Sequence, residues 1–294
     1  FLSKSDWRHN MKYLPLTKSA ELTKNYRRGG WITLIIGLLI FSLVSSLVIQ
    51  IGSFFSDSFG ILIQLYFYSL VILAIILYSK FVEKRDIQSL GISSKNFTKN
   101  YSFGAILGFV MIGATIIGNL IMQSISISIN NNVNILYLML LLFGFCIQGF
   151  AEELLFKGYI MNTIASMSNM TIGIVINSVI FSLNHAINPN VTSIGLINIF
   201  LLGFLLSLIF FYSDNLYLVG ALHSSWNFFI AILGLPVSGK IVNETIFRIK
   251  TTDSLSILNG GNFGLEGGLL ATIILIVGVG TCLSFIKIKL EVAL

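Results

Sequence analysis

Apolar residues run along this chain in long blocks rather than in alternation. Windows of roughly 20 residues, the unit a bilayer demands, lie at about 31–53, 59–80, 102–123, 135–157, 171–188, 194–212, 216–234 and 266–286. A helix rising 1.5 Å per residue crosses ~30 Å of hydrocarbon in such a block. The blocks show no period-two alternation, which argues against barrel strands, and backbone in lipid must satisfy its own hydrogen bonds. The pattern therefore predicts an all-α, polytopic membrane protein with eight transmembrane helices over 31–288. A basic segment, 1–30, precedes them as a surface helix or a tail. Segment 83–100 reads as a short interfacial stretch. The span 235–265, rich in Gly, Asn, Ser and Thr, reads as a mobile loop. No internal repeat is visible, which counts against an inverted-repeat transporter.

Composition agrees. The chain is 55% hydrophobic and 10% charged, with a mean hydropathy of +0.89, whereas soluble domains carry about 25% charged residues. The first 30 residues lack the short apolar core of a cleavable signal. The net charge of +6 comes from basic residues clustered beside spans, not from an aromatic-interleaved patch or a Gly-rich phosphate loop, so nucleic acid is not an expected partner. With the N-terminus inside, fourteen Lys and Arg fall on the inner side and three (Lys240, Arg248, Lys250) on the outer, with Lys157 within the membrane. That bias predicts a multi-pass plasma-membrane protein with both termini cytoplasmic. Cys146 and Cys282 lie in apolar blocks and read as buried free thiols.

The chemistry-bearing residues stand out against this background. Glu152 and Glu153 sit side by side in ILYLMLLLFGFCIQGFAEELLFKGYIMNTIA, whose only other charge is Lys157. Ionisable residues in hydrocarbon cost at least ~2.5–3.5 kcal/mol each and by default mark function. Neighbours on a helix point about 100° apart, so the two acids cannot share one partner face. Glu153 and Lys157, at i and i+4, have the favourable order for an ion pair, which leaves Glu152 facing elsewhere. Snorkelling of all three to the interface is the plain structural alternative. His185 follows in FSLNH, where Phe181 reads as packing and support, and a lone intramembrane His is often only an interhelical hydrogen-bond partner. His223 and Asn227, one turn apart in HSSWN, share a helix face with Trp226 between them. A polar seam gluing helices together would look the same. Jointly, however, Glu152, His185, His223 and Asn227 supply a base, imidazoles to hold water or metal, and donors for an oxyanion.

EELLFKG, FSLNH and HSSWN resemble the three signatures of the CPBP intramembrane proteases, which include type II CAAX endopeptidases and bacteriocin-processing or immunity proteins. The family pattern is Glu-Glu-x-x-x-Arg, Phe-x-x-x-His and His-x-x-x-Asn, and the resemblance covers about 135–235. It implies an intramembrane endopeptidase that cleaves a hydrophobic or membrane-associated peptide with water activated by glutamate and histidine. It also implies roles: Glu152 as general base with His185 as its partner, Glu153 as supporting acid, and His223 with Asn227 binding the oxyanion. Lys157, Phe181 and Trp226 support them. In a metal-dependent version, Glu152, His185 and His223 would hold zinc with an open position; no other cofactor is implied. Lys157 departs from the family Arg, keeping the charge but losing the bidentate fork, so a looser, less active site is expected. Cys146 offers a thiol alternative without comparable support.

For these residues to converge, the helices of spans four, five and seven must tilt around a hydrated cavity, expected to open to the cytoplasm. Two rival readings are a non-proteolytic immunity or accessory protein binding a membrane signalling partner, and a transporter, which buried acids and histidines would also suit.

Overall fold

The computed structural model describes residues 14–55, 57–242 and 244–292. Residues 1–13 of the basic segment lie outside that set. Helix α1 (Lys18–Tyr26) follows, started by the Thr17 side chain accepting the Ala20 N–H. Next come α2 (Trp31–Ser53), α3 (Asp57–Leu77), which ends in a π turn over Tyr78–Val82, and α4 (Phe97–Ile121). Helix α5 (Ile135–Glu153) runs through a π-helical stretch, Leu154–Met161, into α6 (Asn162–Met167), making one rod of 33 residues. The remaining helices are α7 (Met170–Asn184), α8 (Ser193–Ser213), α9 (Leu216–Ile232) and α10 (Leu269–Val292).

The architecture is that of an all-α polytopic membrane protein, but the eight expected spans are not equal. Among the described residues six helices are long and apolar enough to cross a membrane: Trp31–Ser53, Phe59–Val82, Phe97–Ile121, Ile135–Met167, Ser193–Ser213 and Leu269–Val292. The apolar helices α7 and α9 have 15 and 17 residues, hence lengths of only about 22 and 25 Å. His185 caps α7, and Gly234 with a positive φ follows α9. Composition extended both blocks past these ends, because Ala186, Ile187 and Leu233 are apolar but not helical.

Helix α9 is the axis of the bundle, buried along most of its length and packed between α4 and α5. Close approach depends on small residues: a Cβ on Gly108 of α4 would meet the Leu222 carbonyl at 2.5 Å, and one on Gly149 of α5 would meet the Ser224 nitrogen at 2.8 Å. Helices α2, α4 and α10 turn apolar side chains such as Leu39, Phe103 and Ile276 outward, as lipid-facing helices do.

The loop 235–265 is not irregular throughout. It contributes β2 (Phe247–Thr251), which pairs antiparallel with β1 (Ile125–Ile129), Ile127 opposite Ile249. Both segments, ISISI and FRIKT, alternate apolar and polar residues, the pattern of a strand exposed on one face.

The segment after α3 is a packed junction. Glu83 is buried and takes Arg27 Nε at 3.1 Å and Arg85 Nε at 3.2 Å. The Tyr159 hydroxyl donates to Glu83 at 3.2 Å, and the Arg85 guanidinium stacks 4.8 Å over the Tyr159 ring. Burial pushes the Arg85 guanidinium down to about 10 while Glu83 opposes the shift, so Arg85 stays cationic at neutral pH. Ser19 N–H bonds Asp214 at 3.0 Å, and Lys289 donates to the Tyr212 carbonyl at 2.7 Å. Both described ends of the chain therefore lie on one face, with the Glu83 cluster.

Candidate active site

Glu152 and Glu153 close the α-helical part of α5, immediately before the π-helical stretch. Their directions diverge. Glu153 is fully buried and engaged twice: Lys157 Nζ stands 3.2 Å from Oε2, and His223 Nδ1 stands 2.9 Å from Oε1. Because the carboxylate is an acceptor, Nδ1 of His223 carries the hydrogen, and Nε2 is left turned toward Glu152 Oε2 at 3.7 Å. The Glu152 side chain keeps 13% of its surface exposed, on the wall of a cavity of about 450 Å³. Gln148 Nε2 donates to Glu152 Oε1, while Gln148 Oε1 accepts from Asn227 Nδ2 at 3.2 Å. Asn227, Gln148 and Glu152 thus form a directed amide–amide–carboxylate chain. Among the described residues, Glu152 Oε2 has no hydrogen-bond partner.

The same cavity is lined by His185, His223 and Asn227, so one concave space touches all four residues singled out in the sequence. Their pairing differs from what the family resemblance implied. The imidazole that faces Glu152 is His223, not His185. His185 gives its Nδ1 contact to the Phe181 carbonyl at 2.8 Å and packs against the Phe181 ring at 4.8 Å between centroids. Phe181 does more than fill space: its ring also carries the Lys157 ammonium 4.4 Å above it and meets Phe156 edge-on at 4.9 Å. Trp226 stands behind the site and donates Nε1–H to buried Glu266 at 3.0 Å. Lys157 is fully buried and reaches Glu153 as a single point charge; the fork of an Arg is replaced by one contact and a cation–π face.

The zinc set named from the sequence does not assemble. Among the described residues no group of three or more His, Cys, Asp and Glu side chains is arranged to hold a metal ion. Both cysteines are free; the Tyr101 hydroxyl donates to Cys146 at 3.0 Å, and Cys146 does not line the cavity.

Two contributors escaped the sequence reading. Gln148 lies four residues before Glu152, on the same helix face, and was legible as a polar residue in an apolar run. Tyr68 of α3 also lines the cavity, and nothing in its sequence context marks it.

The cavity reaches into both halves of the bundle. Its walls are the C-terminal half of α2 (Ser42, Ser46), the N-terminal half of α3 (Gln64, Tyr68), the end of α7 and the loop residues Val237–Val242. Leu38, Val71 and Ile160, nearer the chain ends, line it as well.

The chain is a multi-pass membrane protein in which a carboxylate, two imidazoles and an amide line one cavity. Residues 134–229 match the family model described as type II CAAX prenyl endopeptidase, Rce1-like. The matched third of the chain contains α5 to α9 and every one of the catalytic candidates, and supports a CAAX-type intramembrane protease at the level of class. No curated protein matches the chain.

Proposed function

We propose that this protein is an intramembrane endopeptidase that hydrolyses a peptide bond in a hydrophobic or membrane-associated peptide without a resident metal. The observation that carries the reading is Glu152 Oε2: a carboxylate oxygen with no hydrogen-bond donor, on a cavity wall, 3.7 Å from an imidazole nitrogen. Buried polar atoms are ordinarily satisfied, and a buried carboxylate oxygen without a donor is suited to receive a proton.

The reaction follows from that arrangement. Glu152 takes a proton from water as the water oxygen bonds to the scissile carbonyl carbon. The carbonyl oxygen becomes an oxyanion, received by the second amide hydrogen of Asn227. Collapse of this intermediate breaks the C–N bond, and Glu152 returns the proton to the departing amine. Gln148 holds Glu152 in place through Oε1, and Glu153 fixes the His223 tautomer, as second partners commonly do for catalytic imidazoles. His185 lines the same cavity with its Nδ1 held by the Phe181 carbonyl, and its role in this reading is substrate contact.

The test is purified protein in lipid nanodiscs incubated with a mixture of apolar peptides, with cleavage mapped by mass spectrometry. Glu152→Gln should lower cleavage by about 10²–10⁴-fold, the usual contribution of a general base, with an unchanged thermal midpoint. A Glu152→Gln protein that cleaves at the wild-type rate refutes the assignment.

A further inference from the structure

The outer wall of the cavity ends in a tight turn that neither the motifs nor the proposed reaction uses. Val237 and Lys240 exchange both backbone hydrogen bonds, at 2.8 and 3.0 Å, and the two residues between them, Ser238 and Gly239, have φ of +47° and +86°. This is the two-residue hairpin turn that needs positive φ at both central positions. Gly tolerates such a φ, whereas Ser rarely adopts it. Here Ser238 is clamped. Buried Glu266 accepts its backbone N–H at 2.6 Å and its hydroxyl at 2.8 Å, and Asn188, three residues beyond His185, donates to its carbonyl at 3.0 Å. A Cβ on Gly239 would collide with the Pro189 carbonyl, so the turn is seated against the loop that carries His185. Strain held by a buried carboxylate marks a segment whose position matters.

What this turn presents is Lys240. Its side chain is exposed, and among the described cavity-lining residues it is the only ammonium or guanidinium. The other titratable groups on the wall are Glu152, His185, His223 and Tyr68. Lys157, the other cation of the region, is closed off in its pair with Glu153. The cavity thus has its proposed base within the bundle and a single positive charge on the opposite, loop-bearing wall.

We infer that the Val237–Lys240 turn is the substrate-reading element of the cavity, with Lys240 pairing a carboxylate of the bound peptide. This rests on the cavity being a peptide site, as proposed above. The carboxylate is either the peptide's C-terminus or an acidic side chain near it.

The experiment measures binding, so it is read independently of cleavage. The probes are an N-palmitoylated apolar hexapeptide with a free C-terminal carboxylate, its C-terminal amide, and that amide with Asp as the last residue. Each is titrated against nanodisc-held Glu152→Gln protein, with lipid-only discs subtracted. The free acid should bind about five-fold more tightly than the plain amide, the scale of a solvent-reached ion pair. Lys240→Gln should erase the difference and Lys240→Arg should keep it. If the Asp-containing amide also binds tightly, an acidic side chain suffices; if it binds like the plain amide, the C-terminus is what is read. Equal binding of all three probes, no binding of any, or discrimination that survives Lys240→Gln overturns the proposal. Loss of cleavage in Glu152→Gln with no Lys240 effect would overturn this inference alone, and a Lys240 effect without any cleavage would overturn only the peptidase reading.

Discussion

Replacing Lys157 with Met tests whether Glu153 is structural. In the native protein the Glu153 carboxylate and the Lys157 ammonium are both fully buried, 3.2 Å apart, and the ammonium rests on the Phe181 ring at 4.4 Å. Met fills much of the lysine stem's volume but supplies no charge, so Glu153 is left buried with His223 alone. Breaking a buried pair by removing one partner costs about 3–5 kcal/mol, because the survivor is uncompensated. Replacing both partners by neutral groups is often close to neutral. The double variant Glu153→Gln, Lys157→Met should therefore recover most of the loss, since the side-chain amide introduced by Glu153→Gln can still accept from His223. Equilibrium unfolding in mixed detergent micelles, followed by the fluorescence of buried Trp226, reads all four corners of this cycle. A loss below about 1 kcal/mol in the single variant, or a double variant no more stable than the single, would refute the reasoning. Snorkelling side chains would give that refuting result, since exposed pairs contribute only ~0–1 kcal/mol.

Three further outcomes follow from the same contacts. Gln148→Leu removes one donor to Glu152 and the acceptor of Asn227; with ~1.5–3 kcal/mol for a hydrogen bond to a charged group, kcat should fall about 10–100-fold while KM for the same peptide stays within about two-fold, and an unchanged kcat would count against the relay. Glu83→Gln leaves Arg27 and Arg85 without their shared carboxylate and should cost about 3–5 kcal/mol in the same unfolding assay, with the cleavage rate of the folded protein preserved because no residue of the cluster lines the cavity. In a protein with Cys146 and Cys282 replaced by Ala, Ile241→Cys should react with a membrane-impermeant maleimide on intact cells and Lys24→Cys only after lysis; the reverse result would mean that the charge bias misreports the orientation.

The helices were legible because hydrocarbon imposes a length and forbids unsatisfied backbone, and apolar blocks follow directly. The site residues were legible for the converse reason: Glu152, His185, His223 and Asn227 are costly where they stand, so each drew notice before any contact was known. What one strand of text does not carry is rotation and depth. Whether Glu152 met His185 or His223 depended on the stopping points of α7 and α9, set by His185 at a cap and Gly234 at positive φ. Pairing of ISISI with FRIKT joins segments more than a hundred residues apart, and the alternation that marks them was hidden by the polar composition of the long loop.

The short helices also explain how adjacent acids can take different parts. Helices of about 22 and 25 Å in a ~30 Å hydrocarbon layer leave the loops after α7 and α9 dipping inward, and those loops bring Asn188, Ser238 and Lys240 to the cavity that Glu152 faces. Glu153, turned by roughly 100° on the same helix, points instead to the packed seam with α9, where Lys157 and His223 close around it. A closed ion pair deep in the bundle has no route by which to exchange a proton with a bound peptide. An open carboxylate in a cavity does. The π-helical stretch that begins at Leu154, of a kind often found at functional sites, sits where this division occurs. Within it, Tyr159 ties the rod to the Glu83 cluster. One helix therefore carries a fastened charge cluster toward the terminal face and an unsatisfied carboxylate toward the cavity, so the ions that hold the fold are separate from the one available to act.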